Sequence, residues 1–141
     1  MKNKYYTPDI SEFYVGFEYE ECGWLYNPSR PDNIFKQKIF NVEDYIEVDG
    51  EYFLSSYLKE KAIRVKYLDK EDIESLGWKE TVHNKVKCFE LGFYKLFWFN
   101  QPFISIECIL NCTSNTTQIF RGTIKNKSEL KKLLKQLGIN A

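Results

Sequence analysis

The sequence predicts an α+β domain. A mainly antiparallel sheet of about five to six strands carries a short central helix and a C-terminal amphipathic helix packed on one face. Three observations lead there. Aromatic residues make up 17% of the chain, and in several stretches apolar and polar residues alternate, the pattern of half-buried strands. The last three strand-like segments are joined by connections too short for parallel crossovers. Residues 126–138 have a helical period with a cap signal at each end. At 141 residues the chain is the size of one domain, expected to run over 1–141 without repeat or linker.

Residues 12–20 alternate, with Phe13, Val15, Phe17 and Tyr19 on one side and Glu12, Glu18 and Glu20 on the other, which predicts a strand. The prolines and asparagines of 27–33 predict a loop, and 34–40 a second strand. Residues 42–61 read two ways. Asp49-Gly50 is a two-residue hairpin signal. Phe53, Leu54, Tyr57 and Leu58 have helical spacing, and on balance a helix from about 51 to 60 is expected. Ile63, Val65 and Tyr67 predict a strand over 62–68, with Arg64 and Lys66 on its other face.

A short helix is expected next. Asp69 caps it, Leu68 and Ile73 staple it, and Gly77 stops it. Residues 86–99 are expected to be extended, with a bulge at Gly92. A strand follows over 103–112, with Ile104, Ile106, Cys108, Leu110 and Cys112 on one face, and another over 117–124 with Phe120 and Ile124 inward. The final helix has Asn126 and Glu129 in a capping-box pattern. Leu130, Leu133, Leu134 and Leu137 form its apolar stripe, and Gly138 ends it.

Charge is balanced, with Lys+Arg 20 against Asp+Glu 20. That argues against a generic nucleic-acid or membrane-surface protein. Acids dominate residues 1–60 and bases dominate 113–141, an asymmetry expected to neutralise within the fold. No apolar run has the length of a membrane span or a signal peptide, so a cytoplasmic location is expected. With one histidine, most histidine-based catalysis and most zinc sites are excluded. Cys108 and Cys112, four residues apart on a strand, stand roughly 13–14 Å from each other, too far to grip one ion. Reduced core thiols are expected. There is no nucleophile elbow, no Walker loop and no Gly-x-Gly-x-x-Gly. His83 is expected in a surface loop.

Two groups of residues remain as candidates. Glu18 and Glu20, joined by Glu107, would hold a metal if they converged; a solvated acidic face paired with Arg64 and Lys66 is the expected alternative. The second is the aromatic run 93–99, apolar on both faces, which is a doubly covered central strand, a protein contact surface or a platform on which bases stack. Tyr94, Trp98 and Phe99, with Arg64, Lys66 and Arg121, are the candidate ligand- or partner-binding residues.

Three stretches carry a resemblance. Tyr5-Tyr6-Thr7-Pro8-Asp9-Ile10 leads into Phe13-Tyr14-Val15-Gly16-Phe17-Glu18-Tyr19-Glu20. Arg64-Val65-Lys66-Tyr67-Leu68-Asp69-Lys70-Glu71-Asp72-Ile73-Glu74-Ser75-Leu76-Gly77-Trp78 is the second, and 124–134 the third. Together, over about a third of the chain, they resemble small proteins of Bacteroides and of tailed phages of gut bacteria, crAss-like phages among them. The resemblance implies a phage or host setting and no catalytic residues.

The expected function is therefore a non-catalytic binding or interaction module with a protein partner and no cofactor. The first alternative is a small-ligand protein that binds or sequesters a nucleotide, which would need an aromatic pocket beside Arg64, Lys66 or Arg121. The second is a metal-dependent enzyme using the strand carboxylates. Homo-oligomerisation stays open.

Overall fold

The computed structural model describes residues 4–22, 26–41, 47–48, 51–52, 57–99, 102–109 and 116–139. The fold is α+β with antiparallel sheets. The chain divides into two compact units, Met1–Lys66 and Tyr67–Ala141, each with its own core.

In the first unit, β1 (Tyr5–Tyr6), β2 (Glu18–Glu21), β3 (Lys36–Ile39) and β6 (Ile63–Lys66) form a sheet of order β1-β6-β2-β3. The strand expected over 12–20 is shorter than its alternation suggests. Residues 10–12 form a 3-10 turn capped reciprocally by Asp9 and Glu12. The chain then bends at Val15-Gly16, where the Phe17 N–H donates to the Tyr14 carbonyl at 2.9 Å. Gly16 has φ +101°, a value an L side chain rarely adopts, so the turn needs glycine there. Val15 is consequently 65% exposed rather than inward. Phe13 and Phe17 still meet across the bend, ring centroids 4.8 Å apart. Tyr19, Phe40, Ile63 and Val65 complete that core.

The ambiguous stretch resolves against a helix beginning at 51. β4 (Glu47–Val48) pairs antiparallel with β5 (Glu51–Tyr52), the register of a two-residue hairpin. Asp49-Gly50 themselves, with Phe53 and Leu54, lie outside the described residues. Helix is present at 57–59. It ends in a Schellman pattern, Lys61 N–H to Leu58 carbonyl and Ala62 N–H to Tyr57 carbonyl, with Lys61 at φ +61°.

In the second unit, five strands form a meander of order β11-β10-β9-β8-β7. They are β7 (Lys79–His83), β8 (Val86–Leu91), β9 (Tyr94–Trp98), β10 (Phe103–Ile109) and β11 (Thr116–Thr123). Helix α1 (Lys70–Ser75) precedes them. Its start is a reciprocal box between Asp69 and Asp72, and Gly77 follows its end at φ +97°. Helix α2 (Lys127–Gln136) buries Leu130 and Leu134 in one cluster with Phe89, Leu96, Ile104 and Ile106. Asn126 caps it. Glu129 departs from the expected box, because its carboxylate accepts from the Lys125 N–H, one residue before the cap. Gly138 and Ile139 close its far end in a Schellman motif, Ile139 N–H to Leu134 carbonyl at 2.8 Å, and both of these side chains are in the core.

Two sequence expectations change here. The extended run 86–99 is not one bulged strand but a hairpin. Leu91 faces Tyr94 across Gly92-Phe93, and Gly92 has φ +59°, the first position of a II′ turn. β7, unpredicted, pairs with β8 through a two-residue turn in which Asn84 and Lys85 both have positive φ, the I′ geometry. His83 is therefore the last residue of a strand rather than part of a loop. Leu110, Asn111 and Cys112, read as the end of the 103–112 strand, lie outside the described residues.

Lys85, at φ +68°, occupies a position that favours glycine. Relief of left-handed strain, about 1–2 kcal/mol, exceeds the entropic cost of glycine, about 0.5–1 kcal/mol. Lys85→Gly is expected to raise the unfolding midpoint of the second unit by the equivalent of about 0.5 kcal/mol. A lowered midpoint in a denaturant titration would contradict this.

Candidate functional site

The aromatic strand separates its candidates. Residues directly opposite on neighbouring strands share a face, so registers sort the side chains. Tyr94 and Trp98 lie on the Leu96 face, half-buried against the core that holds α2. Phe99 lies on the other face, 60% exposed and stacked on Phe97 at 6.3 Å. Arg121 also lies there, exposed, opposite Ser105. β9 is the middle strand of the sheet, with Lys95, Leu96 and Phe97 all buried. These four candidates therefore do not form one site.

That second face also carries a row of alternating charge. Lys79, Glu90, Lys95 and Glu107 stand opposite one another on four successive strands. Lys95 is 6% exposed, and its Nζ lies 3.3 Å from Glu90 Oε2. Glu107 accepts from the Thr116 hydroxyl at 2.7 Å. Cys88 is buried nearby, and its thiol is pushed up by burial. Lys95 counters this, while Glu90 and Glu107 add to it. A thiol so placed is a poor nucleophile. The His83 ring meets Phe97 edge to face at 6.4 Å, with the Asn84 amide 3.3 Å from Nε2.

Two of the three carboxylate candidates, Glu20 and Glu107, are engaged by named side chains. Glu20 Oε1 accepts from Arg64 Nε at 3.1 Å and Nη2 at 2.9 Å, directly across the β2–β6 pair. Glu18 pairs in register with Ile39. Among the described residues no group of three or more His, Cys, Asp or Glu could hold a metal ion.

Arg64 marks the better site. Its guanidinium carbon lies 3.8 Å from the centre of the Tyr5 ring and 4.0 Å from that of Phe35. A cation held over ring faces at such distances gains about 0.5–2 kcal/mol per contact. The group is thus held between two rings, with Glu20 at one edge. It lines an open cleft of about 390 Å³ in the first unit. Tyr5, Tyr26, Pro31 and Phe35 supply apolar wall, Asn33 and Thr7 polar groups, and Lys61 a second cation. Lys66, opposite Tyr5 on β6, does not line it.

The sequence placed Arg64 among its candidates but missed Tyr5, Tyr26, Phe35 and Lys61. Tyr26 and Phe35 flank the Pro/Asn loop, and an aromatic residue on each side of a turn-rich segment was the available signal. The loop is ordered by Asn33. Its side-chain amide donates to the Asn27 carbonyl at 2.7 Å and the Arg30 carbonyl at 3.0 Å, and accepts from the Asn27 N–H at 3.0 Å. Each such bond contributes about 0.5–1.5 kcal/mol. Asn33→Ala is expected to speed amide exchange at Asn27 and Arg30 at least tenfold while β2 and β6 keep their protection. Equal protection in the variant would mean that another contact orders the loop.

No helix among the described residues is long and apolar enough to cross a membrane. Comparison with protein-family models, with curated proteins and with solved structures finds no match to this chain.

Proposed function

We propose that this protein is a non-catalytic binding module whose target docks in the cleft of the first unit. The observation that supports this is Arg64, held between Tyr5 and Phe35 in the wall of an open, aromatic-lined cleft. A side chain fixed in this way loses little rotamer freedom when a target arrives. Three groups capable of chemistry are occupied structurally: Glu20 by Arg64, Glu107 by Thr116, Cys88 by burial. In this reading the module acts in the cytoplasm of a bacterial cell, in the phage or Bacteroides setting that the resemblance implies. The partner is another protein or a small nucleotide.

The test is a fragment screen by protein-observed NMR on the full chain, using small planar aromatic acids. Shift changes confined to residues 5–7, 26–35 and 61–64 are expected. Fragments that move none of these amides, or that bind elsewhere, would remove the cleft as the docking site.

A further inference from the structure

Resting on the reading that this cleft is the recognition site, we infer that it takes a nucleoside monophosphate. The phosphate sits on the free edge of Arg64 beside Lys61, and the base lies against the aromatic wall. The charge of the lining sets the sign of the ligand. Among the described residues, Lys61 and Arg64 line the cleft and no carboxylate does. Glu20 balances Arg64, so Lys61 leaves a net positive charge, and Lys4 adds another at 5.9 Å from the Tyr5 ring.

The donor count of Arg64 then favours phosphate. A guanidinium has five N–H donors. Two go to the single oxygen Glu20 Oε1. Three have no partner among the described residues. Tyr5 and Phe35 hold the plane of the fork from both sides, so its remaining edge is preset for the bidentate pattern that phosphate oxygens match. The Schellman turn at the end of the 57–59 helix fixes the backbone of Lys61, and its side chain supplies a compact second charge. Two cations, one already balanced, suit a single phosphate group better than a di- or triphosphate.

The walls supply the rest. Tyr26 is half-buried, and its contact with Phe35 is edge to face at 6.1 Å. Aromatic rings in such a wall stack on bases without regard to identity. The volume of about 390 Å³ falls in the range of about 300–1,000 Å³ for small-ligand sites. The mouth is open, so the sugar faces solvent.

The experiment is titration of the full chain with AMP, GMP, CMP and UMP, read by calorimetry and by amide shifts. Adenosine and inorganic phosphate serve as part-ligands. At least one monophosphate is expected to bind in the cleft at least tenfold more tightly than either part-ligand. Arg64→Lys, which keeps the charge and loses the fork, is expected to weaken it at least tenfold. Since Arg64 also packs between two rings, Lys61→Met on the exposed rim is the second variant, expected to weaken binding about threefold or more with an unchanged amide spectrum elsewhere. No binding by any monophosphate at millimolar concentration overturns the inference. So does affinity unmoved by Lys61→Met, or tighter binding of phosphate alone. If aromatic acid fragments map to the cleft while no monophosphate does, the nucleotide falls and the cleft stands. If neither maps there, both fall.

Discussion

Phe17→Ala is expected to destabilise the first unit by about 3–5 kcal/mol, the usual range for emptying a buried phenylalanine site. Phe17 is 0% exposed. Its ring touches Phe13 at 4.8 Å, Tyr14 at 5.9 Å and Tyr19 at 6.4 Å, so one truncation removes three aromatic contacts besides its own buried area. Collapse into the hole is limited because Phe13 is also held by Phe40 and Tyr19. Such a loss is a large part of the stability of a unit this small. Amide exchange at Tyr19, Ile63 and Val65 reads it directly, separate from the second unit. A loss below about 1 kcal/mol would show that the cluster refills the space.

Trp78 yields a paired result in the second unit. It is 1% exposed and packs with Leu68, Ile73 and Leu130, so Trp78→Ala is expected to cost about 3–5 kcal/mol. Its indole Nε1–H, however, is buried without an acceptor among the described residues. Leaving a donor unpaired costs about 1–3 kcal/mol. Trp78→Phe removes that donor and leaves a gap costing about 1–2 kcal/mol. The two effects offset, and Trp78→Phe is expected to lie within about 1 kcal/mol of the parent in urea unfolding. A cost near that of alanine would mean that the N–H is satisfied and that shape decides.

The second unit was the more legible in sequence because its signals are local. Asp69 and Asn126 cap helices from within four residues, and Gly77 and Gly138 end them at positive φ. The misread elements share a cause. Phe13, Phe17 and Tyr19 are all buried in one cluster, but a turn at Val15-Gly16 lies between the first two, so burial mimicked strand alternation. β7 was missed because most of its residues face water on both sides, which erases any alternation. The Gly92-Phe93 turn was hidden because phenylalanine at a turn position removes the polar contrast that marks a loop; Phe93 is 71% exposed.

The cleft was only partly legible for a different reason. Arg64 was selected as a cation available to stand beside an aromatic pocket. Its ring partners, Tyr5 and Phe35, come from elsewhere in the sequence and meet it only through the fold. The stretch 21–60, which lies outside the three stretches that carry the resemblance, supplies Tyr26, Pro31, Asn33 and Phe35 to the wall.

The sheet order β1-β6-β2-β3 has a kinetic consequence. β6 is inserted between β1 and β2, so Tyr5 cannot pair with Lys66 until nearly the whole unit has been made and a long loop closed. The meander of the second unit asks only for neighbours in sequence. Folding rates fall as contacts become less local. During synthesis, the amino-terminal strands therefore wait for their central partner, and the carboxy-terminal sheet, made later, has the shorter search. In refolding from urea, protection at Leu96 and Ile106 is expected to appear before protection at Arg64 and Val65.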